Sequence, residues 1–154
     1  MLERFDRFTS AISSIHRFIQ KIERDEMEKY GLKGAAAQYL LAMARYPEGI
    51  TAATLCEICD RDKAAVSRIL AELEEQGMVC RVSDTGKDYR VLLALTPEGQ
   101  KAADHVDQKA TVAVAMAGQG LTDQDRAVLY AALDRIHANI KNISQKGIPD
   151  EQGA

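Results

Sequence analysis

From Phe5 the apolar residues fall at Phe5, Phe8, Ile12, Ile15, Ile19 and Ile22, in alternating steps of three and four. That rhythm is an a/d seam and predicts one long helix over about residues 2–29, with Phe18 beside the seam and widening it. The far end repeats the device at Leu129, Leu133, Ile136, Ile140 and Ile143. Thr122, ahead of Asp123 and Asp125, is suited to cap that helix, and Gly147 to stop it. Between the seams the helical segments are shorter. Residues 31–46 carry Leu32, Tyr39, Leu40, Met43 and Tyr46 on one face, and Pro47-Glu48-Gly49 ends the segment. Thr51 is placed to cap a helix through Cys59, with Leu55, Ile58 and Cys56 as its expected inward face. Asp62 is placed to cap the next, residues 63–76, which closes at Gly77 and buries Val66, Ile69, Leu70 and Leu73.

After Gly77 the period changes from helical to alternating. Residues 78–82 read as a short strand, residues 83–87 as a loop rich in turn formers, and Tyr89, Val91, Leu93 and Leu95 as the returning strand. Thr96-Pro97-Glu98 joins a cap, a proline at the first helical position and an acid in the first turn, so a helix starts there. It runs to about Ala117 and stops at Gly118-Gln119-Gly120. The order of helices followed by a hairpin is that of a winged helix-turn-helix, mainly α with a small β-hairpin wing.

Composition narrows the class without changing this picture. The 154 residues suit one domain of ordinary size, 46% apolar and 28% charged, with three Phe, five Tyr and no Trp. Formal charge is −3, which excludes a uniformly basic nucleic-acid binder but not a local basic patch. Residues 1–8 carry four charges and no apolar core, so no signal peptide is expected. The longest uncharged run, residues 110–122, falls short of the roughly 20 apolar residues of a membrane span. Three cysteines at uneven spacing fit a reducing compartment, so a cytoplasmic protein is expected.

Two features carry function. The seams at the termini either pack on their own domain or join two copies; their length favours a homodimer, since together they exceed what a small centre can cover. In the middle, the helix opening at Lys63 shows Lys63, Ala64, Ala65, Ser67 and Arg68 in its first two turns, opposite its buried face. Small residues let a backbone approach a duplex, and a major groove about 12 Å wide admits one α-helix. Lys63 and Arg68 supply positive reach, whereas Glu72, Glu74 and Glu75 come where such a helix has left the groove. Seven basic and seven acidic residues between 61 and 101 nevertheless cancel. An ordinary solvated face remains the alternative, as does a winged helix that binds protein and not DNA.

Four stretches in order resemble the MarR family of transcriptional regulators over roughly residues 5–145. They are Asp62-Lys63-Ala64-Ala65-Val66-Ser67-Arg68-Ile69-Leu70, Leu73-Glu74-Glu75-Gln76-Gly77-Met78-Val79, Asp88-Tyr89-Arg90, and Leu95-Thr96-Pro97-Glu98-Gly99. The resemblance implies a single domain over residues 1–154, with dimerisation helices in 1–30 and 97–146 around a DNA-binding lobe in 31–96. It implies that Lys63, Ala64, Ala65, Ser67 and Arg68 face the major groove of double-stranded DNA. Arg90 would enter the minor groove, oriented by Asp88, with Lys87 near phosphate. Ala64 and Ala65 depart from the Ser and Thr frequent there, and Tyr89 from a frequent basic residue, which points to weaker or differently specified binding. A ligand-responsive repressor on a pseudo-palindromic site is the expected function.

Relatives in such a family often bind an amphipathic, phenolic or carboxylate effector beside the DNA-binding lobe. His16, Tyr30, Tyr39 and Tyr46 are candidates to line that cleft, with core packing as the competing role of the tyrosines. Cys56-Glu57-Ile58-Cys59 raises a thiol- or metal-responsive alternative. Structural cysteines are the expected reading, because Cys80 lies across a turn and His16, His105 and His137 show no metal spacing. No cofactor is expected. The sequence contains no G-x-S-x-G, P-loop or H-E-x-x-H motif, and an enzyme is not expected.

Overall fold

A computed structural model of the chain describes residues 2–83 and 91–148. The chain falls into two compact units, Met1–Thr111 and Val112–Ala154. The elements are α1 (Leu2–Glu28), α2 (Ala36–Ala44), α3 (Ala52–Cys59), α4 (Lys63–Glu75), β1 (Val79–Ser83), β2 (Val91–Leu95), α5 (Pro97–Ala117) and α6 (Asp123–Lys146). The fold is therefore mainly α with a two-stranded antiparallel hairpin, a winged helix-turn-helix as the sequence predicts. Among the described residues, no helix is long and apolar enough to cross a membrane.

The core of the first unit gathers one face of each short helix. Leu40 and Met43 of α2, Leu55 of α3, and Val66 and Leu73 of α4 are essentially sealed from solvent, with Met27 from the last turn of α1. Val79 and Leu93 close it from the hairpin, and Ala102, Ala103 and Val106 from α5. In the hairpin Val79 pairs with Leu95 and Ser83 with Val91, while Ile50 forms a single bridge to Leu93 on the other side of β2. The step into α5 is tightly built. The Thr96 hydroxyl donates to the Gly77 carbonyl at 2.6 Å and accepts from the Gly99 amide at 3.1 Å. A Cβ on Gly99 would lie 1.9 Å from the Met78 carbonyl oxygen, so only glycine fits the helix against the strand here.

Two local expectations need correction. The segment expected to be helical over residues 31–46 is helical only over Ala36–Ala44. Gly31 sits at φ +68°, reversing the chain at the end of α1, and a turn over Lys33–Ala35 precedes α2. Tyr46 lies beyond the helix and is exposed. In α3 the inward pair is Leu55 and Cys59; Ile58 is 40% exposed and Cys56 half-buried. Leu55 and Cys59 are four residues apart and differ by about 40° around the helix, against about 60° for Leu55 and Ile58. Neighbouring packing selects the closer pair.

The second unit is locally well specified. The Thr122 hydroxyl accepts from the Asp125 amide at 3.2 Å while the Asp125 carboxylate accepts from the Thr122 amide at 2.9 Å, a complete capping box. Arg126 donates to the Gly118 carbonyl at 2.7 Å and fixes the turn that precedes α6. No residue of α6 is buried.

Candidate nucleic-acid interface

The turn between α3 and α4 aims the second helix. Asp60 adopts the left-handed conformation (φ 49°, ψ 50°), which Asp tolerates better than most residues, and ends α3. The Arg61 amide then donates back to the Cys56 carbonyl at 3.0 Å. Asp62 follows in extended geometry, and its Oδ1 accepts from the Ala65 amide at 2.8 Å. The first turn of α4 is thus capped by a carboxylate at the positive end of the helix dipole.

Burial splits α4 along its length. Val66, Leu70 and Leu73 are at most 6% exposed, with Ile69 half-buried. On the other side Lys63, Ala64, Ser67 and Arg68 are exposed and Ala65 is partly so. The structure brings together the five residues that the sequence nominates for the major groove. Lys63 makes no ion pair among the described residues. Among the described residues Arg68 reaches only the Ala64 carbonyl of its own helix, through Nε at 3.4 Å, a long and weak bond.

Two acids of the later turns, Glu72 and Glu74, have partners. Glu74 takes Arg81 of β1 in a forked pair at 2.6 and 3.2 Å, which raises the guanidinium pKa through that hydrogen bond first. Glu72 accepts the Lys33 amide at 2.9 Å and pairs with Lys33 Nζ at 3.2 Å. Glu98 pairs with Lys101 at 2.8 Å. The formal charge balance of this stretch therefore conceals a spatial separation. Glu72, Glu74 and Glu98 are engaged away from the opening of α4, where Lys63 and Arg68 face solvent. Sequence reasoning missed these two pairings of α4; the Glu74–Arg81 spacing across the Gly77 turn was an available signal, whereas Lys33 is 39 residues from Glu72.

The remaining nominated residues scatter. Lys87, Asp88 and Arg90 lie outside the described residues. His16 and Tyr39 line an open groove of about 1540 Å³, together with Arg24, Arg45, Arg61 and Arg68. Tyr39 is buried, and burial pushes its hydroxyl pKa up. Tyr30 and Tyr46 do not line it: Tyr30 packs edge-on to His105 with ring centroids 5.7 Å apart. Cys59 is buried and its thiol pKa is raised by that burial, which favours the unreactive protonated form; Cys80 is exposed on β1. Among the described residues no group of three or more His, Cys, Asp and Glu is placed to hold a metal ion.

Comparison with known proteins agrees with this geometry. Residues 30–90, which span α2 to the wing, match the model of the MarR family. The uncharacterised HTH-type transcriptional regulator YybA of Bacillus subtilis is 25% identical over 130 residues, 84% of this chain and 86% of that protein. A MarR-family transcriptional regulator from Silicibacter pomeroyi superposes with a TM-score of 0.70 at 26% identity, over 84% of this chain and 87% of that one. A Listeria monocytogenes protein solved in complex with 26mer DNA superposes with a TM-score of 0.79 at 23% identity, over 94% and 97%. The helix-turn-helix segment is thus similar to the MarR family, and the fold is shared with MarR-family structures along most of its length.

Proposed function

We propose that this chain is a sequence-specific DNA-binding regulator that acts as a homodimer and represses by occupying a pseudo-palindromic promoter site. The observation that carries the reading is the opening of α4, where a capped first turn presents Lys63, Ala64, Ser67 and Arg68 to solvent while Val66, Leu70 and Leu73 anchor the opposite side. The α4 residues read the major groove, with Arg68 the reader of a base edge. At the wing, Arg90, oriented by Asp88, enters a narrow minor groove, and Lys87 approaches phosphate. The DNA complex of the Listeria protein supports placing a duplex against this fold.

The dimer is supported by apolar surface left uncovered. Phe5, Phe8, Ile12, Ile15, Phe18, Ile19 and Ile22 of α1 are 40–66% exposed. Leu129, Leu133, Ile140 and Ile143 of α6 are 38–52% exposed. Two such seams are too extensive for the surface of a soluble monomer. Association of two copies sets their α4 helices about one turn of DNA apart, roughly 34 Å. An amphipathic effector in the groove lined by His16 and Tyr39 would touch Arg68 directly, which supports the groove as the place where a ligand weakens DNA binding.

Arg68→Ala tests the reading. Loss of a base contact costs about 1–3 kcal/mol and flattens preference among sequences, with thermal stability unchanged. Equal affinity of variant and wild type for selected and random duplexes overturns Arg68 as the reader. A stable monomer in sedimentation at micromolar concentration overturns the dimer.

A further inference from the structure

We propose that Glu72 is a positioning residue that holds the recognition helix α4 in fixed register with α1, and so sets the half-site spacing the dimer accepts. The inference rests on the function proposed above and adds to it a determinant of specificity that touches no DNA.

The connection leaving α1 is stiff. The Met27 carbonyl accepts from the amides of Tyr30 at 2.9 Å and Leu32 at 3.1 Å, and the Glu28 carbonyl from Gly31 at 3.0 Å. Gly31 at φ +68° makes the reversal, and a Cβ there would stand 3.5 Å from the Gln76 side chain, beside the end of α4. Leu32 then enters the core at 5% exposure. The next peptide is held from both sides: the Lys33 carbonyl accepts from Ala36 at 3.0 Å, and the Lys33 amide donates to Glu72 Oε1 at 2.9 Å. Glu72 itself is only 18% exposed, and its other oxygen meets Lys33 Nζ at 3.2 Å. Glu72 stands one helical turn beyond Arg68, on the same side of α4.

The consequence is mechanical. The apolar anchors of α4 are Val66, Leu70 and Leu73, with Ile69 partly buried beside them, and apolar contact is non-directional. They keep the helix in place but resist rolling about its axis weakly. A charge-assisted hydrogen bond to a fixed backbone amide is directional and opposes that roll. Because the amide belongs to the segment that leaves α1, the bond relays the placement of α1 to Arg68. A dimer joined through α1 therefore presents its two readers at one separation and one angle.

The test compares Glu72→Ala, Glu72→Gln and wild type in two measurements. In the free protein, amide hydrogen exchange at Lys33 is expected to accelerate about tenfold in the Ala variant, the loss of one hydrogen bond to a charged group, and to stay close to wild type with Gln, whose oxygen still accepts. With a duplex selected from a randomised pool by the wild-type protein, inserting or deleting one central base pair is expected to weaken wild type and Gln strongly. The Ala variant is expected to lose about tenfold of that discrimination. Glu72→Lys keeps helix propensity, sets a like charge against Lys33 and replaces the Ala variant if the latter melts early. Unchanged exchange at Lys33 overturns the proposal, and so does faster exchange with spacing discrimination intact. If wild type selects no duplex, the DNA-binding function has failed, and the exchange measurement alone decides whether Glu72 holds the segment.

Discussion

Asp62 is the residue at which helix stability and DNA affinity separate most cleanly. It is the N-cap carboxylate of α4, whose first turn contains no acid, and its Oδ1 accepts from the Ala65 amide at 2.8 Å. Removing that acceptor in Asp62→Ala costs the N-cap, typically about 1 kcal/mol within a range of about 0.5–2. The lost attraction between a carboxylate and the helix dipole, about 0.3–1 kcal/mol at an exposed site, overlaps with that figure and does not add in full. A destabilisation of about 1–1.5 kcal/mol lowers Tm by roughly 2–6 °C in a chain of this size. Asp62→Asn keeps an oxygen acceptor and gives up only the charge, so its Tm stays within about 2 °C of wild type.

Affinity for DNA divides the same variants differently. In Asp62→Ala the first turn frays, and Lys63 and Ala64 lose their fixed places; the penalty is bounded by the capping energy, so at about 1 kcal/mol affinity falls at most about fivefold. In Asp62→Asn the turn stays formed and a negative charge leaves a surface that faces phosphates, so affinity equals or exceeds that of wild type. Thermal denaturation and fluorescence anisotropy on a labelled duplex, run on the same preparations, measure both. Equal Tm values for the Ala and Asn variants would show that the cap contributes nothing. Equal weakening of DNA binding by both would place the carboxylate itself in the contact and refute the reasoning.

Two further outcomes follow from burial and charge. Glu26, between Lys29 and His105 at 2.6 Å each, has its pKa held below the ordinary carboxylate range, first by the Lys29 hydrogen bond and then by His105. Its folded-state value is therefore below its unfolded one, so the stabilisation is present above the unfolded pKa and lost as pH falls through the folded one. Glu26→Gln is expected to lower Tm at neutral pH by an amount that shrinks as pH falls below the ordinary carboxylate range, and a gap that stays constant on acidification contradicts the assignment. In α3, Leu55→Ala is expected to cost about 2–5 kcal/mol in urea denaturation and Ile58→Ala less than about 1, with equal losses arguing that Ile58 also packs inward.

How much of this was legible in the chain depended on whether a feature is local. The start of α4 follows from Asp62, that of α3 from Thr51 and that of α6 from Thr122, each N-cap confirmed by a side-chain bond spanning three residues, and the end of α4 follows from Gly77 at φ +69°. Two errors arose where local signals conflict or run short. Apolar periodicity carried the second helix back to Gly31, although two glycines in residues 31–34 weaken helix there and Leu32 reaches the core from a turn. In α3, four apolar residues among positions 55–59 leave the inward direction undetermined, and side-chain size favoured Ile58 over Cys59 wrongly. The exposed patch at Lys63–Arg68 was legible because polarity and small size alternate with a buried line at helical spacing. The anchoring of Glu72 was not, because nothing near it in the sequence marks Lys33 as its partner.

The stretch 61–101 carries no net charge, and the proposed DNA reader is still coherent once the acids are located. Engaging Glu72, Glu74 and Glu98 with lysine and arginine partners leaves few cations for phosphate, so the counterion-release contribution to binding is small and non-specific affinity is correspondingly low. Ala64 and Ala65 add no hydrogen bonds of their own; they only let the α4 backbone approach a groove closely. On the proposed function, discrimination would fall on a small number of directed contacts, Arg68 foremost, productive only when both copies of the proposed dimer meet their half-sites together. The proposed dimer, being weakly charged, would then need to be stiff. The bonded path from the Met27 carbonyl to the Lys33 amide and on to Glu72 supplies that stiffness within each copy. On the same proposal, the groove beside Arg68 would be an effective place to interfere, since withdrawing that one guanidinium would remove a large share of what holds the duplex.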